Sequence, residues 1–226
     1  MASPASKSGK ANYQMPFVRV EIVVMCVVEQ RLHVLLARRA EAPHAGKWAL
    51  PGGVLRIDLD RSLDAAGLRV MGERLGVRLP SLRQLCAVGG PTRDPRAPWA
   101  LSVVYRALVL AETLHPSAGK RIEALEWRTA EAAIDDAALA FDHATLIGQA
   151  VASTRNEVDA FELPFGLLPD VFTLGELHAT CEQVLARRLD KSSFRRRLAE
   201  RGAVEPVEGA LRGGAFRPAQ LYRKSR

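Results

Sequence analysis

GGVLRIDLDRSLDAAGLRVMGERLGV, residues 52–77, decides the fold. The glycine pair at 52 and 53, right after Pro51, marks a tight loop. A polar stretch carrying Asp58 and Asp60 leads into a helix over residues 62–75. Ser62 suits its N-cap, Leu63, Ala66, Val70 and Met71 supply part of an apolar face, and Gly76 suits the position that ends it. Gly67 and Gly72 each cost the helix about 1 kcal/mol against alanine, so packing must hold it.

Outward from that helix the pattern changes to strands. Upstream, residues 17–28 (FVRVEIVVMCVV) are dense in β-branched side chains and read as a central strand. Residues 32–38 (LHVLLAR) form a second, joined by a hairpin at EQR, and the loop RAEAPHAGKWALPGG carries a short strand at its end. Downstream, residues 82–88, 101–110 and 124–129 read as strands, with the proline- and glycine-rich GGPTRDPRAPWA as a loop between the first two. A helix over 142–152 completes a mixed sheet with helices packed on it, residues 14–155. The fold class is α+β.

The composition shifts near Asn156. NEVDAFELPFGLLPD reads as a linker that docks through Phe161, Phe165 and Leu167, and residues 156–226 comprise this linker and a small second domain. In FTLGELHATCEQVL, residues 172–185, Thr173 and Glu176 stand three apart as a capping box, with Leu174, Leu177, Cys181 and Val184 at helical spacing. After a short turn, Asp190 caps KSSFRRRLAERG, in which Phe194 and Leu198 face a core and Lys191, Ser192, Arg195, Arg196 and, at the edge, Arg197 occupy the other faces. Two helices joined by a short turn match the helix-turn-helix plan. Alternating segments on either side of the glycine-rich ALRGGA suit a β-wing, with Arg212 at its tip and Arg217 beyond.

The 226 residues carry 32 lysines and arginines against 25 acids, a formal charge of +7, which favours an anionic partner. Cys26, Cys86 and Cys181 have no metal-ligand spacing and read as small apolar residues of a reducing compartment. The opening MASPASKSGKANYQ lacks the apolar stretch of a secretory signal and reads as a frayed tail, and no apolar run is long enough for a membrane span. The expected location is the cytoplasm.

The stretch from Gly52 to Val77 resembles a Nudix box, whose helix carries Arg-Glu-hydrophobic-x-Glu-Glu-x-Gly; here it reads RVMGERLGV, residues 69–77. The resemblance implies a Nudix α/β/α sandwich for the first domain. Arg69 and Glu73 match the motif, but Val70 and Arg74 stand at glutamate positions, and Arg61, with Asp60 beside it, stands where the motif has its upstream glutamate. Nudix hydrolysis uses water activated by divalent metals, and magnesium takes oxygen ligands. Val70 offers none and Arg74 repels the ion, so we expect no catalytic residues, no metal site and no required cofactor. Asp58, Asp60 and Asp64 read either as a solvated loop and helix start or as a rearranged metal site.

A lost catalytic centre leaves room for a binding pocket. Arg38 and Arg39 leave the second strand beside the glycine loop, and Trp48 precedes it; guanidinium forks suit phosphates and an indole stacks on a base, or they are a solvated pair and a core tryptophan. The loop containing Arg93, Asp94 and Arg96, together with Phe141-Asp142-His143, resembles the NrtR-like repressors of NAD metabolism, which join a Nudix domain to a winged helix. Residues 161–223, including DKSSFRRRL and RPAQLYR, resemble the second domain of the same family. The resemblance implies a homodimer that senses ADP-ribose or a related NAD derivative and binds a palindromic double-stranded operator. On the residues alone, Asp142 could simply cap its helix, His143 could be a first-turn surface residue, and the arginine loop could shape a dimer interface. The effector candidates are thus Arg38, Arg39, Trp48, Arg93, Asp94, Arg96, Asp142 and His143; the DNA candidates are Thr173, Lys191, Ser192, Arg195, Arg196, Arg197, Arg212 and Arg217. The alternatives are a metal-dependent Nudix hydrolase acting on ADP-ribose, a winged helix that binds protein, and a regulator of another pathway such as pentose use.

Overall fold

The computed structural model describes residues 15–79, 81–213 and 218–225. The expected N-terminal tail and Arg217 lie outside these. The first domain is built on β1 (Phe17–Val28), β2 (Arg31–Arg39), β3 (Trp48–Ala49), β4 (Gly52–Val54), α1 (Leu63–Leu75), β5 (Arg83–Gly90), β6 (Ala100–Leu108), β7 (Ile122–Thr129), α2 (Ala130–Ile134) and α3 (His143–Asp159). Its sheet runs β3-β2-β1-β6-β5, with β4 also on β1 and β7 also on β2; β1 and β6 are parallel and the other pairs antiparallel. The mixed sheet expected from the sequence is therefore present, and β1 is its centre.

The alternation of β1 explains the layers. Val20, Ile22, Val24 and Cys26 pack with Ala66, Val70, Met71 and Leu75 of α1. Val23 and Met25 point to the opposite face, into a core with Leu146, Ile147, Ala150 and Val151 of α3. The sheet is thus sandwiched between α1 and α3. Ser62 caps α1 by accepting from Ala65 N–H at 3.0 Å, and Gly76 ends it in the left-handed region at φ 67°. The hairpin between β1 and β2 turns on Glu29 and Gln30, both with positive φ.

The helix expected over 142–152 is longer in the structure. α3 runs on to Asp159 because Ala150, Val151, Thr154 and Val158 continue its buried stripe, and Asn156 sits on the outer face. It stops where Phe161 takes φ 69°, ahead of Pro164. Phe161 and Leu167 are buried and Phe165 packs beside Phe172, so the linker docks as expected. The second domain follows as β8 (Phe172–Thr173), α4 (Leu174–Leu185), α5 (Lys191–Arg201), β9 (Val204–Arg212) and β10 (Ala219–Lys224). Its sheet has order β8-β10-β9, one strand more than the two-stranded wing expected. Leu177, Cys181, Val184, Phe194 and Leu198 belong to the same continuous core as α3. No helix among the described residues is long and apolar enough to cross a membrane.

Candidate functional site

Each glycine of the 52–53 pair answers a close approach. A Cβ on Gly52 would lie 1.9 Å from Glu21 Oε2, and one on Gly53 would lie 2.6 Å from the Val70 side chain. The pair therefore lets β4 lie directly over the buried Glu21 on one side and α1 on the other. Glu21 and Arg19 are buried charges within the apolar β1, joined by an Arg19 Nε–H donated to Glu21 Oε1 at 2.8 Å. The second carboxylate oxygen has no hydrogen-bond partner and lies 3.9 Å from His143 Nε2, which also has none.

Where the box would hold metal, the carboxylates are spent elsewhere. Arg69 forms a fork to Asp60 at 2.7 and 2.8 Å, donates to Val54 O at 3.0 Å and reaches Glu73 at 3.2 Å. Asp60 thus anchors Arg69, and the Arg69 bond holds its carboxyl below the usual range. Asp58 pairs with Arg56 at 2.7 Å, and Asp64 accepts the Tyr105 hydroxyl at 2.7 Å. Val70 is buried. Among the described residues no group of three or more His, Cys, Asp and Glu converges to hold an ion. The residues present do not fit the Nudix metal.

Beside the glycine loop opens a narrow cleft of about 50 Å³. Arginines from five parts of the chain line it: Arg19, Arg38 and Arg39, Arg74, and Arg96 and Arg121 from two separate loops. Of the expected effector residues, Arg38, Arg39 and Arg96 are here. Arg38 donates to Glu123 at 2.7 Å; Arg39 donates to Pro43 O at 2.7 Å and lies 5.2 Å from the Phe141 ring centroid. Asp94 is buried and supports Arg96 at 2.8 and 2.5 Å. Burial alone would raise the Asp94 carboxyl, but the Arg96 bonds outweigh it and the net shift is downward.

The other expected contacts differ. Asp142 does not cap α3 through its side chain; its carboxylate pairs with Arg93, which also donates to Ser102 at 3.1 Å, so the two tie the arginine loop to the start of α3. His143 is not at the surface. It is 1% exposed, and its Nδ1 accepts the Leu50 N–H at 2.9 Å, fastening α3 to the glycine loop. Trp48 does not line the cleft; it packs against the core under Arg128, 5.7 Å from that guanidinium. The sequence reading misses Arg19 and Arg121 and takes Arg74 only as a lost metal ligand. The available signal for the first was a charged pair, Arg19 and Glu21, inside an otherwise apolar strand.

The second domain presents a basic face. Thr173 and Glu176 form the expected capping box, Glu176 N–H donating to Thr173 Oγ1 at 3.1 Å and Thr173 N–H to Glu176 Oε2 at 2.7 Å. The Thr173 hydroxyl is thereby committed to capping. Asp190 caps α5 through Ser193 N–H at 2.8 Å. Phe194 and Leu198 are buried, and Lys191, Ser192, Arg195 and Arg196 are exposed. Arg197 turns instead over the Phe161 ring at 4.5 Å, towards the linker. Arg212 ends β9 with its guanidinium against the second oxygen of Glu176, not free as a wing-tip cation. The fully exposed Arg188, in the turn between α4 and α5, was missed because the turn reads as a bare connector.

A Nudix sandwich whose box helix has Val70 and Arg74 at two glutamate positions, followed by a winged helix with a basic second helix, defines a Nudix-linked DNA-binding regulator. Comparison with known proteins gives the same two parts. A NUDIX domain model matches residues 18–149, and an NrtR DNA-binding winged helix domain model matches residues 164–223. The chain is 37% identical to the ADPR responsive transcriptional repressor NtrR of Acinetobacter baylyi, over 95% of this chain and 84% of that one. It resembles Shewanella oneidensis NrtR in complex with DNA, with a TM-score of 0.78 and 32% identity over 92% of this chain and 93% of that one. It also resembles the Nudix domain of that protein bound to ADP ribose, with a TM-score of 0.58 and 32% identity over 63% of this chain and 90% of that one. The chain belongs to the NrtR family.

Proposed function

We propose that this protein is a transcriptional repressor of NAD-biosynthesis or related genes, that it binds its operator through α5 and the wing, and that ADP-ribose or a related NAD derivative in the arginine-lined cleft releases it. The observation that carries this reading is the physical continuity between the two sites. α3 begins at His143, which holds Leu50 beside the cleft, and near its other end Arg155 donates to Val184 O on α4 at 2.9 Å. A helix of this length, about 25 Å, shares one core with both domains. Displacing the glycine loop therefore biases the placement of α4 and α5, which is what differential binding to two conformations requires.

The family relationship supports the same reading, since the Acinetobacter relative is described as ADPR responsive and the Shewanella structures hold DNA and ADP ribose. The cleft acts as a sensor without hydrolysis: Val70 and Arg74 offer no metal ligand and Glu73 is engaged by Arg69. The regulator works in the cytoplasm as a homodimer, because two recognition helices on a twofold axis read a palindrome. Titrating ADP-ribose into an operator complex tests the coupling. The expected result is a fall in operator affinity; unchanged affinity at verified saturation excludes ADP-ribose as the effector. Magnesium- or manganese-dependent turnover at ordinary enzymatic rates would overturn the non-hydrolytic reading, and a monomeric mass by light scattering at micromolar concentration would overturn the dimer.

A further inference from the structure

We infer that Arg74, with Arg39, supplies the positive charge that a divalent ion supplies in hydrolytic Nudix proteins, so that the cleft grips a diphosphate directly and without metal. The inference rests on the cleft being the effector site, and assigns the part of the effector it holds.

The cleft's charges are not equivalent. Arg19, Arg38, Arg96 and Arg121 each face a carboxylate, from Glu21, Glu123, Asp94 and Glu41. Arg39 and Arg74 face none within salt-bridge distance among the described residues. Arg39 donates to the carbonyls of Pro43 and Glu41, and Arg74 to the carbonyl of Lys120 at 2.6 Å. A guanidinium has five N–H donors, so both keep donors to spare. Both are partly buried, and burial together with neighbouring arginines pulls each below its usual range. Two uncompensated, partly desolvated cations in a cleft gain most from a ligand with two adjacent negative charges. A diphosphate has that chemistry, whereas a neutral nucleoside leaves both unanswered.

Arg74 also sits at a glutamate position of the box, on the last turn of α1. The substitution that removes a metal ligand places a fixed cation on the same wall. Magnesium and the guanidinium then compete for the same phosphate oxygens.

The test is calorimetry on the full chain with ADP-ribose and inorganic pyrophosphate as probes, in EDTA and in excess magnesium. The expected result is wild-type affinity in EDTA that magnesium does not improve. Arg74→Gln should weaken it by about tenfold or more, the loss expected for a charged hydrogen-bonding partner, and Arg74→Lys should recover most of it. Pyrophosphate should compete with ADP-ribose in the wild type and lose that ability in Arg74→Gln. A gain of more than about tenfold on adding magnesium, or wild-type binding by an Arg74→Gln variant with an unchanged far-UV spectrum, overturns the inference. Arg74-dependent binding of pyrophosphate without binding of ADP-ribose upholds it and removes ADP-ribose as effector. Failure of both probes to bind the wild type overturns both.

Discussion

Replacing His143 with asparagine should flatten the acid sensitivity of the first domain. The imidazole is buried between β1 and the glycine loop. Burial drives its pKa down to about 4, Glu21 opposes the drop, and Arg19 and Arg93 reinforce it. In the unfolded chain an imidazole titrates near ~6.5. As pH falls, the unfolded state therefore takes the proton first, and the folded state loses stability from about pH 6.5 down to about 4. Between pH 7.5 and 5.5, above the carboxylate range, the loss from this one group is about 1.4 kcal/mol. Asparagine sets an oxygen near the position of Nδ1, keeping an acceptor for Leu50 N–H while removing the titrating ring. All three tryptophans, Trp48, Trp99 and Trp127, lie in the first domain, so urea unfolding followed by intrinsic fluorescence reports on it selectively. The variant should be less stable than wild type at pH 7.5 because its smaller side chain leaves space in the core. The gap between the two should close by about 1.4 kcal/mol at pH 5.5. Taking the difference cancels the other histidines. Parallel pH profiles would refute a buried neutral His143.

Three other outcomes follow from the geometry. Asp60→Ala strands Arg69 in a largely buried pair and should cost about 3 kcal/mol in the same fluorescence assay, with a loss under about 1 kcal/mol contradicting the anchor. Thr173→Ala removes the hydroxyl half of the capping box and should destabilise the winged helix by about 1 kcal/mol, read by protease susceptibility at the α4 start. Arg195→Ala or Arg196→Ala should weaken operator binding, leave ADP-ribose binding intact, and in at least one case reduce preference for operator over random DNA by roughly 1–3 kcal/mol; if neither changes operator affinity, α5 is not the recognition helix.

Much of the architecture was legible because its signals are local. Ser62, Thr173 and Asp190 cap the helices they precede, Gly76 ends α1, and the parity of β1 sorts its side chains onto two faces. The misreadings came where a distant partner decides. His143 follows a helix-capping type of residue and looks like a surface position, yet Leu50 and Glu21 enclose it from 93 and 122 positions away. The composition shift near Asn156 points to an early end for α3, although Val158 keeps the buried stripe going. Arg74 was legible as a missing ligand; its place among five other cleft arginines depends on loops that the helix pattern says nothing about.

Glu176 serves two masters. One oxygen holds the Thr173 backbone at the start of α4, and the other holds Arg212 at the end of β9. An arginine that meets a DNA phosphate normally sets free the small cations condensed there, and each such contact adds roughly 0.9 to the slope of log affinity against log salt. Arg212 comes to a phosphate with Glu176 beside it, so the pair brings little net positive charge there. Its contact therefore displaces few of those ions. Operator binding should therefore depend on salt less steeply than the number of basic side chains on this face suggests, and Arg212→Ala should leave that slope where it was. A slope that falls by a full contact would mean that Arg212 already stands clear of Glu176 in solution.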